Sequence, residues 1–136
     1  MHGFILLCDY AEEVNGKLYI QGGGISRVFK TPNPLDLSIA AKLFVPWNDA
    51  NHPQSLSLTL LTEDGQVVSQ GEPSTEVSMG GQIEVGRPVG IRQGSDLDVP
   101  VVFRVRDLRL EVGRYRWELI VNKELVADVT FDVVQP

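Results

Sequence analysis

The side chains suited to acid–base or nucleophilic chemistry are few: two histidines, His2 and His52, and one thiol, Cys8. A zinc site needs three or four ligands at paired spacings, and these residues offer no pairing, so no metal is expected. No motif calls for a cofactor either. A reactive Cys–His pair needs a partly exposed thiol beside positive charge, whereas Cys8 ends the apolar run Phe4-Ile5-Leu6-Leu7. A cysteine in that setting behaves as a small, inert hydrophobe. There is no Gly-x-Ser-x-Gly elbow and no Ser-x-x-Lys pair, so acyl transfer has no support.

Two loops hold the remaining candidates. Pro46 to Pro53 sets Trp47 among Asn48, Asp49, Asn51 and His52. An aromatic face with fixed polar groups can anchor a partner protein or stack on a polar, carbohydrate-like ligand. The bland alternative is that Trp47 closes one end of the core while Asn and Asp serve the turn. The second loop, Gly86 to Asp98, carries Arg87, Arg92, Asp96 and Asp98. Irregular stretches of about twelve or more residues inside compact domains are often functional. Ser95, Asp96 and Asp98 have oxygen ligands for calcium but lack the acidic spacing and glycine of an EF-hand, so solvated loop acids are the expectation.

Arg104, Arg106, Arg114 and Arg116 fall on outward strand faces, where they can pair a partner's carboxylates or simply the chain's own surface acids. Gly22-Gly23-Gly24 offers backbone amides to a phosphate, but no helical pattern follows, as a phosphate loop requires. A bulge or a crossing between sheets is the expected role.

The whole chain restricts the partner. It has 136 residues, the size of one domain, and eighteen acids against twelve Lys plus Arg leave a charge of −6. Nucleic acid and anionic lipid both want a basic footprint, so neither is expected. A lone cysteine forbids an internal disulfide and fits a reducing, cytoplasmic setting. The apolar N-terminal run is too short for a signal peptide or a membrane span.

Apolar residues alternate with period two nearly throughout, and no window holds a helical period, so the chain reads as strands and turns. Asn15-Gly16 marks a tight hairpin. Leu37 to Val45 shares one apolar face, and Leu56, Leu58 and Leu60 alternate with Ser and Thr. For the last two strands, Tyr115 to Val121 and Leu125 to Val133, a two-residue loop would set Trp117 against Asp128. A three-residue loop, Asn122 to Glu124, aligns Trp117 with Val129 and Arg114 with Asp132, and is the expected register.

The segment Leu110-Glu111-Val112-Gly113-Arg114-Tyr115-Arg116-Trp117 resembles the corner before the penultimate strand of immunoglobulin-like sandwiches. In that family a tyrosine hydroxyl returns to backbone a few residues upstream, and Tyr115 matches it. Trp117 stands where the family's second cysteine would be. The resemblance implies one antiparallel immunoglobulin-like β-sandwich over residues 1–136, of about eight to nine strands, with little helix and Tyr115, Trp117 and the three glycines as framework. The stretch from Asp9 to Gly24 also resembles a group of small uncharacterised bacterial and phage-associated proteins, which implies an origin but no activity. The functional expectation is a non-enzymatic module for protein–protein interaction or structure, with a protein partner or a homo-oligomer. Polar-ligand binding at 46–53 is the alternative, and an enzyme with a composite site is the third.

Overall fold

The alternating pattern becomes eleven strands in a computed structural model that describes residues 1–136. Nine of them form two sheets. The first orders β2 (Lys17–Gly23), β1 (His2–Val14), β4 (Leu35–Val45) and β9 (Leu97–Leu108), all antiparallel. The second orders β3 (Arg27–Phe29), β11 (Glu124–Val134), β10 (Gly113–Val121), β5 (Gln54–Thr62) and β8 (Ser78–Ile83). In it only β3 and β11 run parallel. β6 (Ser69–Gln70) and β7 (Thr75–Glu76) make a small separate ribbon, and the one helical turn is a 3-10 segment at Trp47–Asp49. The expected all-β fold therefore holds, with nine strands in the two large sheets and two more in the ribbon, while the parallel β3–β11 pair departs from the antiparallel expectation.

The inward residues of both sheets meet in one cluster of 19 buried side chains. Ile5 and Leu7 of β1, Ile39 and Leu43 of β4 and Phe103 of β9 come from one side; Leu58, Leu60, Trp117, Leu119 and Phe131 come from the other. Full burial of such a side chain contributes about 1.5–3 kcal/mol, so this layer carries the fold. Trp117 is wholly buried, and its indole N–H meets no acceptor in the protein, so packing alone holds it.

The glycine triplet is the expected crossing. β2 belongs to the first sheet and β3 to the second, and the amides of Gly24 and Ile25 both donate to the Leu7 carbonyl at 2.9 and 3.0 Å. Gly22 sits at φ 61°, where a side chain would also collide with the Asp9 carboxylate. Amides already spent on Leu7, with a carboxylate beside them, make a poor anion cradle.

The β10–β11 register is as expected, Trp117 opposite Val129 and Arg114 opposite Asp132, but the loop is not. Val121 pairs with Glu124, so the turn is two residues long, with Asn122 and Lys123 at φ 50° and 71°. A register shift beside Leu119 and Ile120 takes up the odd residue. Parity is corrected by a bulge within the ladder, a device the argument from loop length alone leaves out.

The β1–β2 hairpin turns at Asn15-Gly16 as expected, with both residues at positive φ. Beyond Cys8 it leaves β4 and lies against the outer face of the first sheet, since Ala11 packs with Cys8 and Ala40 while Leu18 and Val102 flank them. The Arg104 guanidinium of β9 covers the Tyr10 ring at 4.6 Å and donates to its hydroxyl at 3.0 Å. No helix is long and apolar enough to cross a membrane.

Candidate functional site

The two loops singled out from sequence follow β4 and precede β9, which places them at the same end of the sandwich. Pro46 starts the 3-10 turn that holds Trp47, and Ala50 packs with Val45 and Leu97 in a small satellite core that Trp47, Val85 and Ile91 border. Arg87 crosses from the second loop. Its guanidinium lies 4.3 Å from the Trp47 ring centroid, and Nε and Nη2 donate to the Trp47 carbonyl at 3.3 and 2.8 Å. The Asn51 amide donates to the Val85 carbonyl at 2.8 Å. Trp47, Asn51 and Arg87 are thus brought together, as a clasp that ties loop to loop.

The other candidates do not join them. Asp98 pairs with Lys42 at 3.1 Å and Asp96 lies 3.9 Å from His2, whose ring stacks on Phe44. Asp98 is thus taken up by Lys42 and Asp96 lies beside the His2 ring, so the two acids turn to different partners. Asp49 and His52 contribute backbone carbonyls to Gln54, while Asn48, Arg92 and the His52 ring stay exposed. No three His, Cys, Asp or Glu side chains gather closely enough to hold a metal ion.

The four outward arginines divide as well. Arg104 and Arg106 belong to β9 in the first sheet, Arg114 and Arg116 to β10 in the second, so their outward faces look in opposite directions. Arg114 makes a two-pronged bond to Asp132, at 2.8 and 3.3 Å, which holds that carboxyl below its ordinary range. Arg116 pairs with Glu118 at 3.1 Å. They do not form one acid-binding patch.

Cys8 is buried, its thiol within 3.4 Å of the Ser38 carbonyl, and desolvation pushes its pKa up. Tyr115 makes the expected corner: its hydroxyl donates to the Glu111 carbonyl at 2.8 Å, and burial raises its pKa.

Sequence reasoning missed the largest concavity, at the far end of β4. It is a groove of about 490 Å³ between residues 29–35 and the corner at 108–111. Lys30 spans its base by donating to the Leu110 carbonyl at 2.8 Å and pairing with Glu111 at 3.6 Å. Phe29, 51% exposed, and Arg109 stand on its walls. The signal was Thr31-Pro32-Asn33-Pro34, whose prolines hold that wall off the sheets. Also missed was Gln54, a buried amide that donates to the His52 carbonyl at 3.2 Å and accepts from Asn122.

A family of proteins of unknown function (DUF6941) matches residues 3–134, a span that takes in both ends of the sandwich. The chain belongs to that family. The DUF6941 match thus covers the clasp, the groove and the Tyr115 corner alike, and it brings no activity with it. No curated protein matches the chain.

Proposed function

We propose that this member of DUF6941 is an immunoglobulin-like sandwich that acts as a non-enzymatic interaction module, holding a segment of another protein in the groove between residues 29–35 and 108–111. The groove itself carries the reading: an open concavity of about 490 Å³ that presents an exposed Phe29 and an Arg109 side chain. Aromatic and arginine side chains at the centre of a patch supply most of the energy of protein association. Strand order supports the sandwich type, with β3 parallel to the last strand and Tyr115 bonded to backbone at the corner. Each shifted titratable group, Cys8, Arg114, Tyr115 and Asp132, has a framework cause and none lines the groove. A cytoplasmic place in a bacterial or phage-associated assembly belongs to the same proposal; it rests on the lone buried thiol and on the Asp9 to Gly24 resemblance.

Polar-ligand binding at 46–53 is the weaker reading, because Arg87 lies over the Trp47 ring that a sugar would stack on. Pull-down from the native host with Phe29→Glu and Arg109→Glu tests the proposal, with Trp47→Ala beside them. Loss of one specific companion in the groove variants alone is expected. A companion set that none of the groove changes alters would overturn it.

A further inference from the structure

Two sheets leave four strands with one free edge each: β2 and β9 in the first sheet, β3 and β8 in the second. Natural edges carry devices that block pairing with another chain. β9 has Pro100, the charges of Asp98, Arg104 and Arg106, and a positive-φ kink at Asp107. β8 is interrupted by Gly80-Gly81 and followed through space by the β6–β7 ribbon, whose neighbour Val77 bonds to Val68. β3 is three residues long and runs into Pro32. β2 has such features only at its ends, the charge of Lys17 at one and Gly22-Gly23, with Gly22 at φ 61°, at the other, so Leu18 to Gln21 between them carry none. Its seven residues include one charge, Lys17, and no proline, while Tyr19 and Ile20 are 52% and 38% exposed.

The backbone of β2 is set to accept a partner. A two-residue turn makes the flanking pair, Val14 and Lys17, a hydrogen-bonded pair, and bonding then alternates along the ladder. Lys17, Tyr19 and Gln21 therefore spend their amides and carbonyls on β1. Those of Leu18 and Ile20 point away from the sheet.

We propose that β2 pairs antiparallel with β2 of a second copy of this chain, on a two-fold axis through Tyr19. That register sets Leu18 against Ile20 of the other copy, joining outward donors to outward acceptors. Lys17 then meets Gln21, so no like charges oppose, and the two Tyr19 rings meet at a close, non-bonded pair. The neighbouring registers fail on the backbone. An axis through Leu18 recruits the turn residue Gly16 at φ 76°, and one through Ile20 recruits Gly22 at φ 61°. Pairing about Tyr19 uses residues 17–21 alone and joins two four-stranded sheets into one of eight strands. The surface is distinct from the groove, so either proposal stands without the other.

Sedimentation of the full chain over a wide concentration range tests it. A monomer–dimer equilibrium is expected, tightening with added salt because each copy carries −6. Ile20→Pro removes an outward donor without touching a β1–β2 bond, and Tyr19→Lys sets two cations face to face. Both should give monomers that keep the parent's circular dichroism, while Tyr19→Phe keeps the dimer. As an independent measurement, Tyr19→Cys should form an intermolecular disulfide on mild oxidation and Gln21→Cys should not, since only the axial pair lies within bridging distance. A chain that stays monomeric throughout, or equal cross-linking at both positions, would overturn the inference.

Discussion

Arg87 and Trp47 are joined twice, by a guanidinium 4.3 Å from the indole centroid and by a 2.8 Å bond from Nη2 to the Trp47 carbonyl. The only other tryptophan, Trp117, is fully buried, so changes in indole emission on disturbing this end belong to Trp47. Arg87→Ala should shift that emission to the red and cost about 0.5–1 kcal/mol, the worth of an exposed cation–π contact. Unchanged emission would show that the clasp does not hold Trp47 in solution.

Gln54 ties the 46–53 loop to the β10–β11 turn. Its Nε2 donates to the His52 carbonyl, its Oε1 accepts from Asn122, and Asn122 exchanges further bonds with Ser55. Gln54→Ala leaves the Asn122 amide without this acceptor and should lower stability by about 1–3 kcal/mol in urea unfolding. A loss within error of zero would mean that the amides find other partners.

Tyr115 couples the corner to alkaline pH. Burial raises its pKa above the ordinary 10.0, so the unfolded chain ionises first and stability falls as pH climbs past that value. Tyr115→Phe should flatten this alkaline decline. At neutral pH it should cost about 0.5–1.5 kcal/mol through the lost bond to Glu111. Melting temperatures across the alkaline range check both.

Arg114 and Asp132 act at the other extreme. The bond from Arg114 depresses the Asp132 pKa below 3.8, so the pair's contribution is present above that pH and is lost as pH falls through the lower, folded value. Carboxyl NMR should find Asp132 titrating below its ordinary range, and Arg114→Ala should return it there. An unshifted Asp132 in the parent would remove the pair from any account of acid stability.

Cys8 should resist thiol reagents in the native protein and react at once on unfolding, because it is buried under the returning hairpin. Cys8→Leu should overfill that layer at a cost of about 1–3 kcal/mol. Rapid native labelling would show that the hairpin opens.

The fold was legible because each strand carries its own period-two pattern, as in Leu37 to Val45, and because Asn15-Gly16 and Tyr115 are local signals with one structural meaning. Trp117 opposite Val129 followed from face parity. The bulge that delivers this register did not, since one residue can be absorbed anywhere along a ladder. The site was less legible for a related reason. Loop composition flagged residues 46–53 and 86–98, but their meeting through Trp47 and Arg87 depends on which strand ends lie together. The groove depends on Phe29 and Arg109, 80 residues apart in sequence, and neither has a type or spacing that marks it.

The parallel seam between β3 and β11 also bears on how the chain is made. Residues 27–29 leave the ribosome before their partners at 132–134, with β4 to β10 between them. Until β11 emerges, the inner edge of β3 stands unpaired, held in readiness for a strand not yet translated. Closure of the second sheet therefore waits for β11, and the emerging sandwich has its greatest need of protection from its neighbours just before that strand appears.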